Sequence, residues 1–169
     1  MRLLVTGAAG SGTSTLGQLL AARLGLEFQE ADDIYWLPSI PPFQHKRPYA
    51  ERHEMMDGVL SNAGGIVVAG SVMSWGREIE NAFDAIVFLT APTQLRLERL
   101  KQRDIQRFGA VDSEFLDWAA QYDSGMMPGR SLARHNSWLA DRTCPVLPLE
   151  SIQEPETLAQ EVCEWLYRT

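Results

Sequence analysis

The chain alternates short apolar runs with stretches in which apolar residues recur every third or fourth position. Short apolar runs are typical of buried parallel strands, and the longer spacing is typical of helices with one buried face. The predicted strands span residues 2–6, 27–30, 65–70, 85–89 and 146–149. The predicted helices span residues 13–24, 49–61, 93–108, 113–122, 131–141 and 155–167. This alternation predicts an α/β fold with a five-stranded parallel sheet covered on both faces, and 169 residues suffice for one such domain.

The most specific motif follows the first predicted strand. Residues 7–14 read Gly-Ala-Ala-Gly-Ser-Gly-Thr-Ser and fit the phosphate-binding pattern GxxxxGK[ST], except that Thr13 replaces the lysine. Glycines let such a loop turn its N–H groups inward, and the helix N-terminus behind it favours an anion. The residues expected to contact nucleotide phosphates are Gly7, Gly10, Ser11, Gly12, Thr13, Ser14 and Thr15. Ser14 also occupies the Mg²⁺-ligating position; a glycine-rich turn that only caps a helix is the alternative.

Paired carboxylates follow the second predicted strand. Asp32 and Asp33 lie at its carboxyl end, which is the ligand edge of a parallel sheet. Adjacent carboxylates at a buried strand end repel each other unless they meet a cation or a hydroxyl group. Asp32 is expected to hold Mg²⁺ through water, and Asp32 or Asp33 to accept a proton from an acceptor hydroxyl. A helix N-cap or an ordinary loop aspartate is the alternative.

Two sets of basic residues are candidates to replace the missing lysine. Lys46 lies in a proline-rich loop, residues 37–48, whose prolines lower the entropy cost of fixing it; a solvated surface lysine is the alternative. The second set brackets residues 109–128, which are predicted to be a mobile excursion, and consists of Arg103, Arg107, Arg130 and Arg134. We expect these four arginines to belong to a lid that closes on phosphates. Arg96 and Arg99 are instead expected on a solvated helix face, in ion pairs with Glu98 and Asp104.

Composition and charge narrow the class of partner. The net charge of −7 argues against general binding to nucleic acid polymers or anionic membranes. No apolar stretch approaches the roughly 20 residues that a membrane span needs, and no signal peptide is recognised. The two cysteines, Cys144 and Cys163, have no metal-site spacing and are interpreted as buried thiols of a cytoplasmic protein. We therefore expect a small-molecule partner and, by default, a monomer.

Taken together, these motifs resemble the nucleoside-monophosphate-kinase branch of P-loop proteins, the adenylate-kinase-like and shikimate-kinase-like small-molecule kinases. The resemblance rests on residues 7–14, on Ala91-Pro92 followed by the arginine-rich helix, and on Arg130 and Arg134. Asp-Asp-Ile-Tyr-Trp at 32–36 and the run at 41–48 also resemble a bacterial group labelled adenylate kinase or P-loop ATPase. The resemblance implies sheet order 2-3-1-4-5, ATP and Mg²⁺ as cofactors, an acceptor-binding region at about 32–62 and a lid at about 104–129.

The sequence departs from this family at two positions. Thr13 stands for the loop lysine, as in loops that resemble those of archaeal-type cytidylate kinases, and Ala69-Gly70 stands for the Asp-Gly of adenylate kinases. Two functions therefore stay open: a kinase of a small acceptor, and a nucleotide-binding regulator with little catalysis. The acceptor is either a nucleoside monophosphate, gripped by Arg47, Arg52 or Arg77, or a hydroxylated metabolite.

Overall fold

The structure is a computed structural model that describes residues 1–61, 64–125 and 129–168. Its strands are β1 (Arg2–Gly7), β2 (Glu27–Glu30), β3 (Ile66–Ala69), β4 (Ala85–Thr90) and β5 (Val146–Glu150). Its helices are α1 (Thr13–Leu24), α2 (Ala31–Tyr35), α3 (Tyr49–Leu60), α4 (Arg77–Glu80), α5 (Thr93–Phe108), α6 (Ser113–Ala120), α7 (Leu132–Ala140) and α8 (Pro155–Leu166). Each predicted strand is observed to within one residue at either end.

The strands form one parallel sheet in the order β2-β3-β1-β4-β5. The α/β class predicted from the sequence and the strand order implied by the resemblance are both confirmed. Because all strands run in the same direction, their carboxyl ends share one edge, where β1 ends at Gly7 and Glu30 of β2 is in register with Ala69 of β3. This edge carries the candidate site.

Both faces of the sheet are covered because the central strands are apolar at successive positions. In β1, Leu3 and Val5 belong to one buried cluster and Leu4 to the other. The first cluster adds side chains of α1 and α8, and the second adds side chains of α3, α4 and α7. A strand buried on both faces reads as a continuous apolar run, which is why β1, β3 and β4 were recognisable in the sequence.

The helix α2 follows β2 without a loop and corrects one expectation. Asp32 and Asp33 lie in its first turn and are exposed, so the predicted burial of this strand end is wrong. The reason is position, because β2 is an edge strand and α2 carries both carboxylates outward from it. Acidic side chains in a first helical turn also interact favourably with the N–H groups there.

The proline-rich loop, residues 37–48, contains no helix, as predicted. Arg47 holds this loop in place by two hydrogen bonds. Its Nε donates to the Ile34 carbonyl at 2.8 Å, and its Nη2 donates to the Trp36 carbonyl at 3.4 Å. Trp36 also forms an antiparallel bridge with Lys46. The loop is therefore held against the end of α2, next to the two aspartates.

A buried carboxylate joins α4 to α7. Glu80 accepts a hydrogen bond from Trp138 Nε1 at 2.8 Å and from the Trp75 N–H at 3.2 Å, and it forms an ion pair with Arg142 at 3.3 Å. Three donors, one from the segment before α4 and two from the end of α7 and the turn after it, thus depend on one acceptor group.

The imidazole of His135 on α7 is fully buried against Phe88 and Tyr122. Its Nδ1 lies 2.6 Å from the Tyr122 hydroxyl, and its Nε2 has no partner in the described structure. Burial lowers the pKa of His135 to about 4, with a further contribution from Arg130. Burial also raises the pKa of Tyr122. At neutral pH the pair is therefore a neutral phenol beside a neutral imidazole.

Cys144 and Cys163 are half-buried free thiols, so they are less buried than predicted. Burial nevertheless raises the pKa of the Cys144 thiol. Among the helices described, none has the length and apolar character to cross a bilayer.

Candidate active site

The phosphate loop joins β1 to α1 at the carboxyl edge of the sheet. Gly10 and Gly12 adopt φ angles of 80° and 93°, a conformation that favours glycine. A Cβ on Gly10 would lie 2.5 Å from the Arg96 carbonyl oxygen, so the loop also packs too closely there for a larger residue. No side chain caps α1 and its first turn holds no acidic residue, so the N–H groups at its start remain available to an anion.

The loop side chains differ in accessibility. Ser11 is buried, its N–H donates to the Ala8 carbonyl at 3.1 Å, and its hydroxyl has no partner in the described structure. Thr13 and Ser14 are partly exposed at the start of α1, and Thr15 is exposed. Thr13 and Ser14 thus stand where a bound phosphate would meet the helix.

Glu30 is a site residue that sequence reasoning missed. It ends β2 beside Ala69, and the Ser14 hydroxyl lies near its carboxyl group. Burial raises the pKa of Glu30; the Ser14 hydroxyl opposes this rise, and nearby Asp32 and Asp33 reinforce it. A carboxylate therefore lies beside the hydroxyl that is predicted to ligate Mg²⁺, although β3 offers none. The signal was available, since the strand-end rule applied to Asp32 applies equally to the last residue of β2.

Asp32 and Asp33 line a cavity of about 380 Å³. The other lining residues are mostly apolar: Trp36, Leu37, Pro38, Ser39, Pro42 and Phe43. The rings of Trp36 and Phe43 meet edge to face at 6.1 Å. Phe43 adopts a φ of 64°, which is strained for a bulky residue and is the kind of strain that collects at ligand sites. The cavity lining therefore combines carboxylate hydrogen-bond acceptors with aromatic ring surfaces.

Arg52 is a buried cation with incomplete contacts. Its guanidinium lies 4.8 Å from the Tyr35 ring, 4.9 Å from the Trp75 ring and 5.4 Å from the Tyr49 ring. Its Nε is buried without a hydrogen-bond partner, and within the described ranges no carboxylate pairs with it. Since buried charges in proteins are normally paired, this group is suited to an anion from outside the chain.

The other predicted basic residues of the acceptor region have different surroundings. Arg47 is engaged by loop carbonyls, and Arg77 lines a separate cavity that also involves Glu80. Lys46 is exposed, with Nζ 5.9 Å from the centroid of the Tyr35 ring. Lys46 also pairs with Trp36, so it lies next to a residue that lines the cavity.

Two expectations for α5 are wrong. Arg96 is completely buried rather than solvated. Arg99 donates to the Ser151 carbonyl at 3.0 Å and to its hydroxyl at 3.2 Å, and both side chains lie close to Gly12 of the phosphate loop. Neither arginine pairs with Glu98 or Asp104. The reason is tertiary: carbonyl groups of the phosphate loop, α6 and the segment after β5 supply acceptors that helix spacing does not reveal.

The four arginines predicted for the lid do not form one cluster. Arg107 lies near enough to Glu30 to lower that residue's pKa. Arg103 pairs with its neighbour Asp104 at 2.7 Å, and Arg130 lies over the Trp118 ring at 5.6 Å. Arg134 is exposed on α7. Of these four, Arg107 is the one with an electrostatic effect on Glu30.

The predicted regions extend slightly beyond what is described. Asn62 of the acceptor-binding region, and Met126, Met127 and Pro128 of the lid, lie outside the described residues. In the described part of the chain, no three acidic, histidine or cysteine side chains are arranged to hold a metal ion by themselves. A Mg²⁺ ion delivered with a nucleotide would find oxygen donors in Ser14 and Glu30.

Comparison with known proteins identifies the family. The family described as AAA domain matches residues 3–117, which include the phosphate loop, both aspartates and all of α5. The chain belongs to this family. An uncharacterized protein of Bacillus subtilis (strain 168), YqaC, is 38% identical over 156 residues, covering 86% of each chain.

Kinases are among the further relatives. A shikimate kinase of Pseudoalteromonas translucida is 32% identical over 120 residues, which cover 62% of this chain and 66% of the kinase. A cytidylate kinase of Pyrococcus horikoshii is 32% identical over 113 residues, covering 59% of this chain and 56% of the kinase. The solved shikimate kinase of Bacteroides thetaiotaomicron superposes with a TM-score of 0.64 at 20% identity, covering 99% of this chain and 98% of the kinase. This AAA domain protein is therefore a member of the P-loop, nucleoside-monophosphate-kinase-like group, with a small-molecule-kinase-like function.

Proposed function

We propose that the protein transfers the γ-phosphoryl group of ATP to a hydroxyl group of a small acceptor that also carries an anionic group. The observation that carries the proposal is the proximity of Ser14 and Glu30 at the phosphate loop, together with the cavity that Asp32 and Asp33 line. It joins a metal-ligating hydroxyl, a partly buried carboxylate and an open acceptor cavity at one edge of the sheet.

The phosphates of ATP are bound by the loop from Gly7 to Thr15. The N–H groups of the loop and of the start of α1 supply the donors, and the missing acidic residue in the first turn of α1 leaves this positive end uncompensated. Ser14 and Glu30 would hold the Mg²⁺ that accompanies ATP, with Asp32 assisting through water. When bound, the ion neutralises charge on the β- and γ-phosphates.

Arg107 is the first candidate to replace the cation missing at Thr13. It lies near Glu30 and therefore near Ser14, which is adjacent to the substituted position. Lys46 approaches from the acceptor side, while Arg103, Arg130 and Arg134 require lid movement to reach the phosphates. Phosphoryl transfer depends mainly on positioning and charge neutralisation, so a cation on another element is an adequate substitute.

The acceptor binds between the aspartates and the aromatic wall. Asp33 or Asp32 accepts the proton of the attacking hydroxyl, the acceptor oxygen bonds to the γ-phosphorus, and the bond to the bridging oxygen breaks to release ADP. Arg52 pairs with an anionic group elsewhere on the acceptor, which supplies its missing partner. A ring in the acceptor would contact Trp36 and Phe43.

A nucleotide-binding regulator with little catalysis is the second candidate. Thr13 and the Ala69-Gly70 pair favour it, because both remove charged groups that kinases of this group use. Under either function we propose a cytoplasmic monomer whose partner is a small molecule, not a nucleic acid polymer or a membrane.

The test is release of ADP from Mg-ATP by the purified protein, with a panel of cyclic hydroxy acids, nucleosides and nucleoside monophosphates as acceptors. Turnover with one anionic hydroxylated acceptor, lost in Glu30→Gln and Asp33→Asn and reduced in Lys46→Ala, supports the kinase. Asp57→Asn is the matched control, because Asp57 is an exposed residue on α3 outside the cavity. Thermal stabilisation by Mg-ATP without turnover for any acceptor contradicts the kinase and supports the regulator.

A further inference from the structure

Arg96 in the first turns of α5 is a completely buried cation. Its guanidinium has five N–H donors, and each one has an acceptor. The acceptors are the carbonyls of Ala91 at 3.1 Å, Ala9 at 3.4 Å and Ala119 at 3.2 Å, the Thr93 hydroxyl at 3.1 Å and the Asp123 carboxylate at 3.0 Å.

These acceptors belong to three separate parts of the molecule. Ala9 lies in the phosphate loop, and Gly10 beside it packs directly on the Arg96 backbone. Ala119 lies in the last turn of α6, and Asp123 follows that helix. The guanidinium also lies 5.2 Å from the Tyr122 ring. One side chain therefore connects the phosphate loop to the segment that carries α6.

Burying the charged guanidinium of Arg96 is an energetically costly way to stabilise the fold. A buried ion pair loses its hydration, and an apolar group of similar size would often pack there at no loss of stability. Helix packing alone therefore does not require an arginine. What a planar group with five donors supplies is a fixed orientation of several segments at once.

We propose that Arg96 is a positioning residue that couples the phosphate loop to α6. By holding the Ala9 carbonyl, Arg96 keeps the loop in the conformation that binds phosphate. Through Ala119 and Asp123, it transmits the ordering of an occupied loop to α6, at the base of the lid region. The inference rests on the proposed function only in that the loop must bind Mg-ATP.

The experiment changes Asp123, because removing the buried arginine itself risks unfolding. Asp123 is half-exposed, with 45% of its side chain accessible, so Asp123→Ala is expected to fold. Asp117→Ala removes the same charge from an exposed position on α6 and is the matched control. For each protein, calorimetry gives the Kd of Mg-ATP, and hydrogen exchange of residues 113–120 is measured with and without Mg-ATP.

We expect Mg-ATP to slow exchange in α6 of the wild-type protein and of Asp117→Ala. In Asp123→Ala we expect the Kd to rise by about fivefold, the lower end of ordinary coupling, and the ATP-dependent slowing in α6 to be lost. A purely structural contact would speed exchange in α6 equally with and without ATP.

Two results would overturn the coupling while leaving the proposed function intact. One is wild-type behaviour of Asp123→Ala in Kd and in α6 exchange; the other is α6 exchange in the wild-type protein that does not respond to bound Mg-ATP. If the wild-type protein binds no Mg-ATP at all, the proposed function fails first and the coupling with it.

Discussion

Replacing Arg52 by methionine is expected to weaken acceptor binding strongly while changing the stability of the protein little. Methionine retains the length of the side chain and packs against the same rings, and its helix propensity equals that of arginine. The change therefore removes the positive charge and its donors from an otherwise preserved environment.

The expected stability follows from two opposing contributions. Arg52 makes three contacts with aromatic rings, each contributing about 0.5–1 kcal/mol, which the variant loses. Its buried Nε has no partner, and such a group costs about 1–3 kcal/mol, which the variant regains. The loss of about 1.5–3 kcal/mol and the gain of about 1–3 kcal/mol largely offset each other, so the free energy of unfolding from urea titration should change by no more than about 2 kcal/mol.

Acceptor binding should respond very differently. Hydrogen bonds from a charged donor contribute about 1.5–3 kcal/mol, so the KM for an anionic acceptor should rise by about 10- to 150-fold. The KM for ATP should stay the same, because Arg52 contacts no part of the phosphate loop among the described residues. Arg47→Met is the control with the opposite profile, since it breaks two hydrogen bonds to loop carbonyls and should destabilise the protein by about 2 kcal/mol.

The reasoning is refuted if Arg52→Met destabilises the protein by more than about 3 kcal/mol and leaves the acceptor KM unchanged. Arg52 would then be a structural cation held by its aromatic neighbours.

Three further predictions concern the scaffold around the site. Gly10→Ala should lower the free energy of unfolding in urea by at least about 2 kcal/mol and should weaken ATP binding. Gly109 also has a positive φ but faces open space, so Gly109→Ala should cost about 1 kcal/mol. Equal losses in the two variants would contradict the close packing of the phosphate loop. The pKa of His135 is lowered from 6.5 to about 4, so its contribution to stability is complete above about pH 6.5. As the pH drops toward 4, the free energy of unfolding should fall by up to about 3 kcal/mol. Urea titrations at pH 7.5 and 4.5 should show this loss, and it should be smaller in His135→Phe. Glu80→Ala should lower the free energy of unfolding by about 3–5 kcal/mol, because it leaves buried donors and a cation unpaired. Glu78→Ala, on the exposed side of α4, should cost less than about 1 kcal/mol. Similar melting temperatures for the two variants would refute this account.

Local patterns in the sequence were sufficient to predict the elements of this fold. The runs that became β1, β3 and β4 are apolar at consecutive positions because both of their faces are covered. The phosphate loop was predictable for a similar reason, since its glycines and hydroxyls act within a few residues of each other. The strand order came from the resemblance to a family.

The acceptor region was predictable only in outline. Its aspartates and aromatic residues stand out in the sequence, but α2 and the exposure of Asp32 follow from the position of β2 at the edge of the sheet. Arg52 was one of three candidate arginines, and only the contacts around each one distinguish it from Arg47 and Arg77.

The sequence by itself therefore determined the strands, the longer helices and the phosphate loop, because these depend on residues close together along the chain, whereas the short helix α2 was not predicted. Tertiary structure alone decided the roles of Glu30 and Arg96. Glu30 meets Ser14 only because β2 and α1 converge at the same edge of the sheet. Arg96 is buried because Ala9 and Ala119, which are distant in sequence, place carbonyl oxygens around it. The sequence specifies the charge of each side chain, but the tertiary structure determines which groups that side chain contacts.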